Sequence, residues 1–592
     1  MKEFFKYVFA TIVGIFVFFV VAGIFGVMSV VGMVASSQAT QNVEDNSVLV
    51  VNLSGSIDEQ GQDDIMGKLT GNYMPSTGLN DILAAVKKAK DNENVKGIYL
   101  EAGALSAGLA TLQEIRSALE DFRKSGKWIV AYGDSYSQGA YYLASVANKV
   151  YLNPQGMVDW HGLGSQPMFY KDLMAKFGVK YQIVKVGTFK SATEIYTEDH
   201  MSEANRLQTK LYIDGVWKNV CNAVSKSRGI SIDSLNMYAD EYAGFQPAEL
   251  LKKRKMVDEL MYADKVKTAV KKLLKLGEDE TVPQISVADM LNAKGGKEEG
   301  DVIAVYYAYG SVVQTDESSI ASGGGHCIAA STVCKDLEDL KNDDGVKAVV
   351  IRVNSGGGDA YASEQIWHQV SELKAKKPVV ISMGDYAASG AYYLSAPASW
   401  IVAQPNTLTG SIGIFAAIPD VSGLVTQKLG VKFDEVKTNR NATFGNVMAR
   451  PFNAEETAML QAYVNRGYAL FRKRVADGRK LPVESVEKIA QGRVWIGGDA
   501  LKIKLVDQLG GLDDAVKKAA QLAKIKDFYT LEYPAPLSWT DQLFGSMSGG
   551  NYLDEQLRMT LGDLYEPFCM MRTLDKREAL PVSYTHLTLP TN

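Results

Sequence analysis

The chain has 592 residues, so we expect two or more domains rather than one compact core. With 46% hydrophobic and 22% charged residues, the composition is that of an ordinary globular protein. The net charge of −5, with lysines and acidic residues interspersed, argues against nucleic acid as the main partner.

Segment 1–40 is predicted to be an N-terminal membrane anchor. No charged residue lies between Lys6 and Glu44, and the apolar run is long enough to cross a hydrocarbon core as one transmembrane helix. Lys2 and Lys6 precede this run, which predicts a cytoplasmic N-terminus and an exported body. A cleaved signal peptide is the alternative.

The body of the chain is a diverged tandem repeat. GDSYSQGAYYLASVA begins at Gly133 and returns as GDYAASGAYYLSAPA at Gly384, which is 251 residues later. NVKGIYLEAGALSAG matches GVKAVVIRVNSGGGD at the same offset. We therefore predict two related domains, 41–298 and 299–530, joined by a polar, glycine-containing linker.

Each half alternates short apolar runs with amphipathic patterns. VLVVNL, GIYL and WIVAYG are typical of strands buried on both faces, and TLQEIRSALEDFRKSG predicts a helix closed by glycine. This alternation predicts an α/β fold with largely parallel sheets. NSGGGD and AASGA both follow apolar runs, and the carboxyl ends of parallel strands are where functional sites lie.

The C-terminal part has no counterpart in the first half. Residues 531–581 include YLDEQLRMTLGDLYEPF, which predicts a helical tail, and 582–592 resemble translated adapter DNA, so we interpret them as a sequencing artefact. The four cysteines form no C-x-x-C pair, which argues against a zinc site. The sequence leaves open whether Cys327 and Cys334 form a disulfide or remain free thiols.

Ser389 in AASGA is a candidate nucleophile, and Gln138 takes its place in the first copy. The glycine run in NSGGGD is compatible with an anion cradle or with an oxyanion hole, but no Walker lysine follows it. A serine nucleophile needs a base, and no histidine has a recognisable acidic partner. Lysine is the alternative, provided that burial lowers its pKa from about 10.4 to near neutrality. Spacing alone does not identify which lysine.

Two long segments resemble peptidase family S49, in its tandem-domain type. AASGAYYLSAPASWIVAQPNTLTGSIGIF is similar to the family's nucleophile region, and VGTFKSATEIYTEDHMSEANR is similar to its general-base segment. The resemblance covers roughly residues 40–530 and implies two tandem ClpP/crotonase-like domains. It places the nucleophile on Ser389 and the general base on Lys190, one from each half.

The same resemblance assigns supporting residues. Ser411 orients the lysine, and the oxyanion donors fall on Gly357, Gly358 and Gly390. The family often has Ser-Pro-Gly-Gly where this chain has Ser-Gly-Gly-Gly, and loss of the proline loosens that turn. Lys185 and Lys437, at matching places in the two halves, are expected to be surface charges.

The resemblance also implies the biology. It predicts a membrane-anchored serine endopeptidase that degrades remnant signal peptides and other hydrophobic peptides after export. The expected location is the bacterial inner (plasma) membrane, single-pass, with the catalytic part in the periplasm. A homotetramer is expected, with no metal or organic cofactor and no nucleic acid. A catalytically silent scaffold of the same fold is the alternative. A crotonase-like acyl-CoA enzyme is a third option, but the acidic catalytic residues expected of such an enzyme do not fit this sequence. Whether the dyad closes within one chain or between neighbours is open.

Overall fold

The computed structural model describes residues 42–61, 76–293, 299–316 and 326–534, with a few isolated positions between residues 4 and 21. Two parallel sheets covered by helices confirm the predicted α/β class. The predicted domain boundaries stay a prediction. Most of the predicted anchor, residues 294–298 of the linker and the tail after Pro534 lie outside the described residues.

The first sheet has seven parallel strands rich in buried aliphatic residues, as expected for strands covered on both faces. In spatial order they are Ser76–Gly78, Ser47–Asp58, Val95–Ser106, Trp128–Tyr136, Lys149–Val158 and Glu259–Leu260, with Gln284–Ser286 also beside Ser47–Asp58. The helices of this half are Leu79–Asp91, Leu109–Arg123, Gln138–Ala144, Lys171–Lys176, Glu194–Thr197, Glu203–Arg228, Ile232–Asp240, Ala248–Lys253, Ala263–Leu274 and Val287–Leu291.

The second sheet has eight strands, all parallel except the pair at one edge. In spatial order they are Val494–Ile496, Leu408–Gly410, Val379–Ala388, Val346–Ser355, Asp301–Tyr309 and Phe528–Tyr533, with Trp400–Ala403 between Val379–Ala388 and Gln508–Leu509. The helices are Ala330–Asn342, Ala360–Lys376, Gly390–Ser395, Ala454–Arg479, Val483–Ile489, Gly497–Lys502 and Leu512–Ala523. A short parallel pair, Ser311–Val313 with Cys327–Ala329, lies outside this sheet.

The repeat is visible in the strands themselves. Strands that begin at Val95, Trp128 and Lys149 recur 251 residues later as strands that begin at Val346, Val379 and Trp400. The shared Gly-Ala-Tyr-Tyr-Leu core is structural in both halves, because its tyrosines are buried. The hydroxyls of Tyr141 and Tyr392 donate to the carbonyls of Met256 and Leu505, each at 2.8 Å, at matching places in the two halves.

The two halves are joined by an antiparallel strand pair. Lys180–Lys185 of the first half pairs with Phe415–Asp420 of the second, so that Val184 lies opposite Ala416. Neither strand belongs to one of the large sheets. The chain leaving Lys185 is therefore directed across the boundary between the halves, where the segment with Lys190 begins.

The expected membrane location is contradicted. No helix in the described ranges is long and apolar enough to cross a membrane. The two longest, Glu203–Arg228 and Ala454–Arg479, have 26 residues each but carry many charged side chains. For the part of the chain that the structure describes, the prediction of a single-pass inner-membrane protein with a periplasmic catalytic part is therefore wrong.

Candidate active site

Ser389 lies in a sharp turn between strand Val379–Ala388 and helix Gly390–Ser395. Its backbone has φ 56° and ψ −120°, a conformation that a residue with a side chain adopts only under strain. The Ser389 N–H donates to the Gly410 carbonyl at 2.9 Å, which holds the turn against the neighbouring strand. The hydroxyl is thus presented at the carboxyl end of the sheet, although only 1% of the residue is exposed.

Lys190 comes from the loop that follows strand Lys180–Lys185 and is also 1% exposed. Gln208 holds this loop by donating its amide to the Phe189 carbonyl at 3.0 Å and to Ser191 Oγ at 2.8 Å. Gly492 of the second half packs on the other side, where a Cβ would lie 2.6 Å from Lys190 Cβ. Glycine is therefore required at 492 for the lysine backbone to approach.

The two halves bring these side chains together within one chain. Lys190 Nζ lies 2.9 Å from Ser389 Oγ. It also donates to Ser411 Oγ at 3.0 Å and to the Ser411 carbonyl at 3.2 Å. The described contacts thus place one amine between two serine hydroxyls.

Burial sets the charge of this amine. Desolvation lowers the pKa of Lys190 from its ordinary value to about 7. The nearby Phe415 ring, 5.8 Å from Nζ, belongs to the same apolar surroundings. A substantial fraction of Lys190 is therefore neutral at neutral pH, as a proton acceptor requires.

Ser411 is held rigidly beside the lysine. Its N–H donates to the Arg493 carbonyl at 2.8 Å, and its φ of 50° is again in the left-handed region. The residue is 1% exposed. Its hydroxyl and carbonyl therefore fix the direction in which Nζ points.

The glycine turn lies against Ser389. A Cβ on Gly357, whose φ is +106°, would lie 2.8 Å from Ser389 Cβ and 2.7 Å from the Gly390 nitrogen. Gly357 donates its own N–H to Ser355 Oγ at 3.1 Å. Within the described part of the chain, the N–H of Gly358 makes no hydrogen bond. A Cβ on Gly390 would lie 3.1 Å from the Gly358 nitrogen, so the Gly358 nitrogen lies close to Gly390, directly after Ser389.

The matching place in the first half is filled by structural contacts. The Gln138 side chain accepts from the N–H groups of His161 and Gly162 and donates to the Gly162 carbonyl. Trp160 stands 251 residues before Ser411, is fully buried, and donates its indole N–H to the Leu235 carbonyl at 2.9 Å.

Two residues that matter for this geometry, Gln208 and Gly492, lie outside the predicted site motifs. Gln208 lies in helix Glu203–Arg228 among other polar residues, and its Oε1 also accepts from the Val494 N–H at 3.3 Å. Gly492 is one of 53 glycines in the chain. Both residues lie outside the general-base motif. The final part of that motif, MSEANR, begins the helix that carries Gln208. The expected surface lysines Lys185 and Lys437 do lie at the surface.

A buried amine beside a serine at the end of a parallel sheet is the arrangement of a Ser–Lys serine hydrolase. A comparison with protein-family models shows which family of serine hydrolases this is. The chain belongs to peptidase family S49, whose model matches residues 121–277 and 371–526. The protein is therefore a serine peptidase, as the sequence predicted.

Individual relatives agree. "Protease 4" of Salmonella typhi is 37% identical over 551 residues, which is 90% of this chain and 87% of that protein. "Serine protease SPPA, chloroplastic" of Arabidopsis thaliana is 31% identical and covers 88% of this chain and 77% of its own. An Enterococcus faecium protein, whose name includes "signal peptide peptidase SppA", is 34% identical over 33% of this chain and 57% of its own.

Proposed function

We propose that the protein is a serine endopeptidase in which Ser389 is the nucleophile and Lys190 the general base. In this proposal Ser411 orients the lysine, and the N–H groups of Gly358 and Gly390, with Gly357 supporting the turn, form the oxyanion hole. The observation that carries it is the 2.9 Å distance between Lys190 Nζ and Ser389 Oγ, two residues that are each only 1% exposed. Each domain is proposed to have the ClpP/crotonase-like fold.

The reaction follows from the protonation state of Lys190. The neutral amine accepts the Ser389 hydroxyl proton while Oγ attacks the carbonyl carbon of the scissile peptide bond. The negative charge that develops on the carbonyl oxygen is stabilised by the N–H groups of the glycine turn. The Lys190 ammonium then returns the proton to the leaving amine, and an acyl ester on Ser389 remains. Water hydrolyses this ester with the same lysine acting as base, which regenerates the serine.

The substrate class is proposed from a relative. One similar protein has "signal peptide peptidase" in its name, and this function would require hydrophobic peptides as substrates. We therefore propose that remnant signal peptides are degraded here too. A homotetramer, which the family resemblance implied, belongs to the same proposal and is tested by the molar mass from light scattering.

A peptidase assay tests the catalytic proposal. Purified unaltered protein, Ser389→Ala, Lys190→Met and the control Lys180→Met are incubated with a synthetic signal peptide carrying a fluorophore and a quencher. Lys180 is exposed at the start of the strand that leads toward Lys190, so its replacement tests the loss of a nearby lysine without disturbing the site. We expect cleavage by the unaltered protein and the control, and loss of at least 1,000-fold in both site variants, as for other nucleophile–base pairs.

The scaffold alternative predicts a different result. If unaltered protein cleaves no peptide, or if Ser389→Ala cleaves as fast as the control, the proposed nucleophile is wrong. Binding of the intact signal peptide without cleavage would then favour a binding protein of the same fold.

A further inference from the structure

Helix Leu109–Arg123 of the first half begins without a capping side chain of its own, because its N-cap residue is Gly108. The first N–H groups of a helix need an acceptor, and here a residue from the other half supplies it. Asp385 accepts from the N–H groups of Ala110 at 2.7 Å and Thr111 at 3.1 Å, and from Thr111 Oγ1 at 2.5 Å. Asp385 is buried.

The matching helix of the second half is capped differently. The matching helix of the second half, Ala360–Lys376, has Asp359 as its own N-cap, and Asp359 accepts from the Ala362 N–H at 2.6 Å. Asp359 stands 251 residues after Gly108, so the first half has glycine where the second half has the cap. A Cβ at Gly108 would overlap the Asp385 carboxylate. Glycine at position 108 therefore leaves the helix without a cap from its own half and leaves room for the Asp385 carboxylate.

Asp385, which caps this helix from the other half, lies close in sequence to the candidate nucleophile. Asp385 lies four residues before Ser389 on the strand that presents the nucleophile. One turn further along the same first-half helix, Glu114 accepts from Arg352 Nη2 at 2.9 Å, and Arg352 lies three residues before Ser355 at the glycine turn. A single helix of the first half thus holds the two second-half strands that carry the nucleophile and the oxyanion donors.

The counterpart of Asp385 in the first half makes no such contact. Asp134, 251 residues earlier, is exposed and accepts from the Tyr132 hydroxyl at 2.7 Å and from Asn153 Nδ2 at 2.8 Å. Both partners belong to its own half. Asp134 therefore offers a matched control at the equivalent strand position.

We propose that Asp385 is a positioning residue, which caps a helix of the lysine-bearing half and thereby fixes Ser389 relative to Lys190. The inference rests on the proposed function. Displacement of Ser389 by about 1 Å would lengthen the 2.9 Å contact with Lys190 beyond hydrogen-bonding distance. Misplacement on that scale lowers catalytic rates roughly 100-fold.

Three variants separate positioning from stability: Asp385→Ala, the control Asp134→Ala, and the double variant Gly108→Asp with Asp385→Ala. In the double variant the helix regains a cap on its own side, because the backbone at Gly108 is in the extended region that aspartate adopts at the matching cap. We expect Asp385→Ala to lower kcat about 10- to 100-fold, with KM within about twofold. In the double variant the melting temperature should recover while kcat stays low.

Recovery of kcat together with the melting temperature in the double variant would show that Asp385 acts through stability alone and would overturn the proposal. So would a kcat for Asp385→Ala within twofold of that for Asp134→Ala. Labelling of Ser389 by a fluorophosphonate probe gives a readout that needs no peptide turnover. If the unaltered protein cleaves no peptide, the proposed function fails, whereas slower labelling in Asp385→Ala and in the double variant still supports the positioning role. If the unaltered protein and Asp385→Ala are labelled at equal rates, the proposed positioning role of Asp385 is wrong.

Discussion

Replacement of Lys190 by methionine should abolish peptide cleavage and yet stabilise the fold at neutral pH. Methionine has nearly the length of lysine, is apolar, and suits the site that surrounds this fully buried side chain. The amine is retained at an energetic cost, because burial disfavours its charged form. Activity and stability should therefore change in opposite directions.

The size of the effect follows from two pKa values. The lysine has a pKa of about 10.4 in an unfolded chain, whereas burial lowers the pKa of Lys190 to about 7. Between these values the unfolded state binds the proton and the folded state does not, so the free energy of unfolding rises with pH. The cost to the folded state is then about 4 kcal/mol at pH 7 and less than about 1 kcal/mol at pH 10.

Methionine also leaves the hydroxyls of Ser389 and Ser411 without the amine, at a cost of about 1 kcal/mol each. These hydroxyls do not titrate in this range, so their cost is the same at both pH values. The stability gained by Lys190→Met should accordingly be larger at pH 7 than at pH 10 by about 3 kcal/mol.

Urea unfolding of the unaltered protein, Lys190→Met and the control Lys180→Met, each at pH 7 and pH 10, measures this difference. The exposed Lys180 should show no comparable dependence on pH. A gain for Lys190→Met that is equal at the two pH values, or a loss that grows toward pH 7, would refute the argument that Lys190 is a desolvated, largely neutral base.

Three further outcomes are expected. Since only neutral Lys190 accepts a proton, kcat/KM should fall about tenfold per pH unit below pH 7, and a flat profile between pH 5 and 8 would contradict a base with a pKa of about 7. Ser411→Ala removes a hydroxyl 3.0 Å from Nζ and should lower kcat roughly tenfold or more, measured with saturating peptide. Gly357→Ala places a Cβ against Ser389 at a positive φ and should lower kcat about 100-fold; unchanged turnover would exclude a tight turn at this position.

Much of this site was predictable because its chemistry is carried by short motifs. Ser389 directly follows the buried strand Val379–Ala388 and Ser411 the short buried strand Leu408–Gly410, so both lie in local sequence patterns of the kind that a family resemblance can match. The pairing of these residues with Lys190, 199 residues away from Ser389, relied on the family resemblance and not on spacing. Apolar runs predicted the central strands of the sheets, such as Val95–Ser106 and Val379–Ala388, because these strands are buried.

What sequence patterns missed are contacts between distant segments. The strand pair Lys180–Lys185 with Phe415–Asp420 is not marked by hydrophobic alternation, because both strands lie outside the main sheets. Gln208 reaches the base loop from a long, largely polar helix, and Asp385 caps a helix more than 270 residues away. The apolar first 40 residues predict a membrane location for the whole protein, and the described helices do not support that location.

The asymmetry of the repeat is better explained as exchange than as decay of the first half. Gln138, in the place of Ser389, bonds the backbone of residues 161 and 162, and Trp160, in the place of Ser411, fills the core. Gly108 gave up a cap and admits Asp385 from the other half. At these three positions the first half therefore has a contact that either fixes that half internally or joins it to the second. Because the lysine remained on the first half and the serine on the second, those joining contacts are also what hold the two side chains at hydrogen-bonding distance.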